Sequence, residues 1–336
     1  MSAGQPGAAP RAASPGGTGG TGPAQAVELF VRHDTEYEYS SQVAFAQHLA
    51  YLQPLEAAGQ AVGSFELQID PAPARLSQAR DVFGNQRVYF SLTRPHDALR
   101  VRASSRVRLL PRFDGIELAD SPPWERVRES LQFVAGAPFQ DASEFCFPSP
   151  HVPREAALGD YARKSFGAGT PLLAGALELM HCIHRDFRYD AQSTDVSTTV
   201  MEAFAARAGV CQDFSHVMIS CLRSLGLAAR YVSGYLHTRA RYAATPGAAP
   251  RPAAEVVGAD ASHAWVAVHC PRHGWVEFDP TNDAIPGTSH VRLACGRDYG
   301  DVAPLRGVVQ GGGEHELRVA VEIRSIDDPA SGPGDK

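Results

Sequence analysis

Residues 209–236 read GVCQDFSHVMISCLRSLGLAARYVSGYL, a helix followed by a strand, and this stretch decides both the fold and the chemistry. Phe214, Val217, Met218, Cys221, Leu222 and Leu225 recur at i, i+3, i+4, i+7, i+8 and i+11, one apolar stripe of helical period. Gly226 is positioned to end the helix. The stripe also fixes where the helix begins. Cys211 falls in the first turn, outside the stripe that claims Cys221, whereas Cys182 lies inside another helical apolar pattern and reads as core. Free N–H groups and the helix dipole at such a terminus stabilise a thiolate. The Cys211 backbone N–H is also a candidate donor to an oxyanion forming on an attacked carbonyl. That contrast singles out Cys211 as the candidate nucleophile.

A thiol nucleophile needs a base. His216 is nearest in sequence, but five residues on a helix turn it about 140° away from Cys211, so it reads as structural. His181 and His184 flank Cys182 at a helix end, with no second ligand pair at metal-like spacing, and read as packing or surface residues. Residues 262–280, SHAWVAVHCPRHGWVEFDP, read instead as a hairpin turning at Pro271. In that register His263 faces Asp279, Trp265 faces Glu277 and Ala267 faces Trp275. Ala264, Val266, Val268, Val276 and Phe278 then share a dry face, while His263 and Asp279 meet at the strand ends. An aspartate bound to one imidazole nitrogen fixes the tautomer and leaves the other for the thiol. Trp265 and Tyr235 are candidates to line the cleft. His269, His273 and His290 have no such partner in this register.

Outward from this centre the chain divides by pattern. Residues 1–26 are an Ala/Gly/Pro/Ser/Thr tail without an apolar segment, read as disordered rather than as a secretory signal. Residues 27–112 alternate in β fashion, with strands in ELFVRHDTEYEYSSQV, GSFELQIDPAP, QRVYFSLT and LRVRASSRVRLL and a turn at DVFGN (81–85), which predicts a small β-sandwich. His33, Asp34 and Glu36 read as a solvated strand face. Residues 113–300 hold helices in PPWERVRESLQFVAG, TPLLAGALELMHCIHRDF and TTVMEAFAARAG, the Cys211 helix, and then the strands, giving an α+β domain of helices on an antiparallel sheet. Residues 238–260, rich in Ala and Pro, read as a long loop that is either a lid or substrate wall, or disordered. A β extension (301–328, with HELRVAVEIRSI) and a polar tail (329–336) follow.

Composition narrows the partners. With 336 residues, 44% hydrophobic and 20% charged, the chain can bury a sizeable core. A formal net charge of −6 and a pI of about 6.1 argue against nucleic-acid binding. No run approaches membrane-span length. The six cysteines are scattered with no CxxC pair, which suits reduced thiols and a cytoplasmic location. Only Lys164 and Lys336 are lysines, an arginine bias that matches GC-rich coding.

Four segments together resemble the bacterial transglutaminase-like superfamily: GVCQDFSH, GLAARYVSGY, SHAW and GWVEFDPTN. HDTEYEYS and DVFGN resemble its bacterial N-terminal domain, and residues 296–323 resemble the end of the same proteins, so the likeness spans about residues 27–326. The resemblance implies a papain-like core whose cysteine, histidine and aspartate fall on Cys211, His263 and Asp279, acting through a thioester. It implies a peptide or protein substrate and an association with ATP-grasp-type peptide ligases. Two departures stand out. Ala205 occupies the position where papain-like proteases carry an oxyanion glutamine, and no acidic calcium loop is present, so neither metal nor cofactor is expected. Three activities remain open on the sequence: hydrolysis of a peptide or isopeptide amide, amine transfer to glutamine, and a non-catalytic binding scaffold.

Overall fold

The computed structural model describes residues 26–136, 138–191, 198–237 and 262–326; the 238–260 loop and both tails lie outside them. The chain opens with five strands, β1 (Val27–Ala50), β2 (Gln60–Asp70), β3 (Arg75–Arg80), β4 (Gln86–Leu92) and β5 (His96–Leu109). Helices α1 (Trp124–Ser130), α2 (Ala156–Ala162) and α3 (Leu172–Asp186) follow, then the two-residue β6 (Arg188–Tyr189), α4 (Val200–Ala206), β7 (Ala208–Gly209) and α5 (Cys211–Ser224). Next come β8 (Ala229–Leu236), β9 (His263–Cys270), β10 (Gly274–Phe278) and β11 (His290–Gly296). A short helix α6 (Tyr299–Val302) leads to β12 (Leu305–Gly311) and β13 (His315–Ser325).

The sandwich forms around one long strand. The first half of β1 lies between β5 and β13, and its second half lies between β4 and β12. Register shifts between Glu38 and Val43 and between Val43 and Phe45 bend β1 from one half to the other. The halves close on a shared apolar layer that includes Val43, Val88, Phe90, Leu99 and Val101. Gly311, Gly312 and Gly313, all at positive φ, let the chain cross from β12 to β13; a Cβ on Gly311 would sit 2.6 Å from the Gln42 carbonyl. Residues 301–326 of the expected C-terminal extension therefore complete the N-terminal sandwich. His33 also departs from the sequence reading: it faces inward, buried, while Asp34 and Glu36 pair with arginines on the outer face.

The second layer is a four-stranded antiparallel sheet in the order β10-β9-β8-β11. Helix α5 lies on one face, with Ala264, Val266, Val268, Val276 and Phe278 in the same cluster as Phe214, Val217 and Met218, the face assigned from sequence. The expected stripe is buried, but so is the rest of α5 from Asp213 to Arg223. Arg223 is sealed in and donates to the carbonyls of Phe147, Ala229 and Arg297. The hairpin register differs from the sequence reading by two residues: Val276 pairs with Val268 and Glu277 with Ala267, because the turn spans residues 271–273 and ends at Gly274 with φ +69°. A two-residue slip preserves side-chain faces, so the division into faces survives.

The other sheet face carries Val232, Trp265, Ala267 and Cys295, and the sandwich covers it. Two amide side chains there stand in for a missing strand beside β11. Gln60 accepts from the Arg292 N–H and donates to its carbonyl, both at 2.8 Å. Asn85 does the same for Cys295 at 2.8 and 2.7 Å. An open strand edge is thus closed by side chains from the neighbouring domain. The turn DVFGN aims Asn85: the Asp81 carboxylate accepts from the Phe83 N–H, the Asn85 N–H and the Asn85 amide. Replacing Asn85 by Ala should strand a buried N–H and C=O pair and lower unfolding free energy by about 2–3 kcal/mol, read as a fall in the urea midpoint.

Candidate active site

The segment before Cys211 is pinned before the helix starts. β6 and β7 pair in parallel, and the Asp190 N–H donates to the Gly209 carbonyl at 3.0 Å. Arg207, in the left-handed region at φ +51°, lies over the rings of Tyr161, Phe187 and Phe204. The Asp213 carboxylate accepts from the Val210 N–H at 2.8 Å, and Gly209 has no room for a side chain because a Cβ would sit 2.5 Å from that carboxylate. The first helical bond runs from Phe214 N–H to the Val210 carbonyl, so the Cys211 amide stays at the open end of α5. Ala205, the position of the missing glutamine, lies exposed on α4.

His263 and Asp279 meet as the sequence anticipated, with Nε2 to Oδ2 at 2.8 Å and both side chains fully buried. Because of the two-residue register difference, the pair is diagonal across the strand ends rather than directly opposed. Burial works against a charged imidazole. The Asp279 carboxylate, by charge and hydrogen bond, and then Cys211 outweigh it, and His263 is raised to about 10. Burial likewise opposes ionisation of Asp279, but His263 and then His290 hold it below the usual carboxylate range. With Nε2 committed to Asp279, Nδ1 is the nitrogen left for the thiol.

The carboxylate collects more donors than a triad requires. Thr281 N–H and Asn282 N–H reach Oδ1 at 3.0 and 3.2 Å, and Asn282 Nδ2 reaches Oδ2 at 2.9 Å. His290, which had no partner in the sequence reading, meets Oδ2 through Nε2 at 3.2 Å. The 279–284 loop closes through mutual backbone bonds between Asp279 and Ala284. Helix α3 grips it: His184 Nδ1 donates to the Thr281 carbonyl at 3.0 Å and His181 pairs with Asp283 at 2.5 Å. The histidines that flank Cys182 thus clamp the Asp279 loop. Among the described residues, ligand atoms of His263, Asp279 and His290 lie within 4.8 Å of one another. The Asn282 amide sits 3.3 Å from His263 Nε2. A hydrogen donor at that point suits a hydrogen-bonded network and opposes a cation.

Other candidates are placed elsewhere. His216 is buried, accepts from the Tyr299 N–H through Nε2 at 3.1 Å, and is lowered by burial to about 3, as befits a structural residue. Trp265 is fully buried and donates to Glu277 at 3.0 Å, while Tyr235 is sealed against His33 at 2.9 Å. Neither lines a cleft; alternation aims Trp265 into the face covered by the sandwich and Tyr235 to the face that carries α5. Trp265 instead backs the site, with its ring 5.9 Å from that of His263 and 5.1 Å from that of His290. The phenols that sense Cys211 are Tyr189 and Tyr231, both raised chiefly by burial and then by the cysteine. Tyr189 is the more accessible, and only the β6–β7 pairing, too short to leave a sequence pattern, brings it there.

The bacterial transglutaminase-like N-terminal region matches residues 29–108 and the transglutaminase-like superfamily matches residues 160–280. An uncharacterized protein of Mycobacterium tuberculosis is 38% identical over 301 residues, covering 87% of this chain and 91% of the relative. The chain belongs to the transglutaminase-like superfamily. A Cytophaga hutchinsonii protein proposed as a cysteine protease shares the fold, with a TM-score of 0.67 at 21% identity, covering 91% of this chain and 92% of the other. A protein-glutamine gamma-glutamyltransferase of Pseudomonas aeruginosa is 29% identical over 138 residues, 40% of this chain and 19% of that protein. Superfamily membership accords with the α+β core of helices on an antiparallel sheet behind an N-terminal sheet domain.

All six cysteines are free, and only Cys182 and Cys211 are not buried. Burial raises the Cys146 thiol to about 11 and raises Cys221 and Cys295 as well. Iodoacetamide at about pH 5 should therefore label Cys211 well ahead of Cys182, read by peptide mass spectrometry. His263→Ala should remove that preference, and equal labelling of the two thiols would defeat the assignment of Cys211.

Proposed function

We propose that the protein is a cysteine-dependent hydrolase of a peptide or isopeptide amide, working through Cys211, His263 and Asp279. The observation that carries this is the sealed His263–Asp279 pair, which keeps the imidazole protonated next to a cysteine at a helix N-terminus. The thiolate attacks the carbonyl carbon and forms the C–S bond, while the Cys211 amide faces the developing oxyanion. The C–N bond breaks as His263 gives its proton to the leaving amine. Water then attacks the thioester, His263 takes its proton, and the thiolate leaves. No metal or cofactor has a part in this reading. The reduced thiols favour a cytoplasmic setting; among the described residues no helix is long and apolar enough to cross a membrane.

Amine transfer is the second reading, and the match to the Pseudomonas transferase favours it. A dansylated amine offered with a glutamine peptide separates the two: incorporation means transfer, and release of ammonia or a free carboxylate without incorporation means hydrolysis. Loss of both activities in Cys211→Ala is expected, and retention of either would overturn the proposed nucleophile.

The pH profile follows from the sign of the shift. His263 is raised above its ordinary 6.5, so the imidazolium persists below about 10, while the stability it confers is full below about 6.5 and is lost progressively as pH rises to about 10. The alkaline limb of kcat/KM should lie well above pH 8, and Asp279→Asn should move it toward neutrality while lowering kcat/KM by about 10²–10⁴-fold.

A further inference from the structure

The two outer faces of the sandwich are treated oppositely. On the half built from β2, β5, the start of β1 and β13, most arginines pair across strands, Arg32 with Glu322, Arg100 with Glu36, Arg102 with Asp34 and Arg318 with Glu38, while Arg106 and Arg324 form no ion pair among the described residues. The other half comprises β3, β4, β12 and residues 43–50 of β1. Its strands contain Arg75, Arg80, Arg87 and Arg306 and no aspartate or glutamate, in a chain of net charge −6. Among the described residues none of these four arginines forms an ion pair.

That face is concave. A groove of about 600 Å³ runs across it, floored by Leu49, Ala79, Tyr89 and Val308 and edged by Arg87 and Arg306. The register explains the mixture: Leu49 pairs with Tyr89 on one side and with Arg306 on the other, and Ala79 pairs with Arg87. Along β4 a cation and a ring alternate at i and i+2, and along β12 a cation and Val308 do the same, leaving Val308 67% exposed. Arg306 stands over the Tyr51 ring at 5.8 Å. Arg87 and Arg306 also line an adjoining cavity of about 510 Å³ that reaches toward the catalytic domain, where Arg80 and Arg297 join them. Of the three carboxylates there, Asp301 is held by Arg297 and Asp81 by Asn85, which leaves Glu144.

We infer that this groove is a docking site for an extended acidic polypeptide segment, its carboxylates meeting Arg87 and Arg306 and its apolar side chains lying on the Leu49–Tyr89–Val308 floor. Guanidinium groups without an ion pair call for an anion, although Arg306 also donates to the Gly300 carbonyl, and their alternation with apolar positions at strand pitch matches an extended chain with acidic and apolar residues in alternation. The apolar floor and the overall negative charge both disfavour a nucleic acid. The site lies apart from Cys211 and does not depend on the proposed thiol chemistry.

The test uses the full-length chain carrying Cys211→Ala, so that no probe is consumed, and reads fluorescence anisotropy. The probes are a fluorescein-labelled octapeptide of alternating Glu and Leu, its Gln-for-Glu counterpart, and octathymidylate as competitor. The Glu peptide should bind about tenfold or more tightly than the Gln peptide, and Arg87→Gln with Arg306→Gln should remove that advantage. Because both side chains also make internal contacts, the exposed Arg75→Gln, on the strand face shared with Ser77 and Ala79 of the groove, provides a second variant; it should weaken the Glu peptide with thermal midpoint unchanged. Equal binding of the two peptides, unaltered binding by both variants, or displacement of the Glu peptide by octathymidylate at equal concentration would each overturn the inference.

Discussion

A carboxylate at Asp279, sealed from water, is the constraint around which the catalytic domain is arranged. A buried anion is tolerated only when its lone pairs are met by donors, and here they come from His263, His290, Asn282 and two loop amides. Those donors sit on β9, on β11 and in the 279–284 loop, so each of these must be held in place. The sandwich holds β11 through Gln60 and Asn85, and α3 holds the loop through His181 and His184. The reward is an imidazole that stays protonated although burial alone would discharge it.

A second buried charge braces the same face. Glu277 receives Arg112 from the end of the sandwich at 3.0 Å, Arg292 from β11 at 3.3 Å and the Trp265 indole at 3.0 Å. Trp265 in turn packs against both histidines of the site. Arg112 is lowered by burial to about 10 even with Glu277 beside it, so the ion pair remains formed at neutral pH. Domain contact and site geometry are therefore not separable here: a change at the Arg112–Glu277 contact acts on the indole that backs His263.

What was legible in the sequence were features written into periodicity. The α5 stripe set the helix boundary and isolated Cys211, and strand alternation put His263 and Asp279 on a shared face even though the turn was placed one residue early. An even register error is harmless to side-chain direction, which is why the pair survived it. What escaped was everything that depends on a partner far along the chain. His290 looks unpartnered in the sequence because its carboxylate, Asp279, lies in the loop after β10, outside the hairpin register. Gln60, Asn85 and Arg223 carry no periodic signal at all; their value lies in the backbone groups they find after folding. Trp265 and Tyr235 are cleft candidates on sequence, but both are buried, Trp265 on the face the sandwich covers and Tyr235 on the face that carries α5.

β1 has its first-half neighbours at opposite extremes of the polypeptide: β5 follows it closely, and β13 is the last of the described strands. During synthesis the first half of β1 must therefore remain unpaired on one side until the entire catalytic domain has left the ribosome. An exposed strand of this length is an invitation to intermolecular pairing, so nascent chains have an interval of vulnerability that ends only with the arrival of β13. Once β13 docks, the catalytic domain is enclosed between two segments of one sheet.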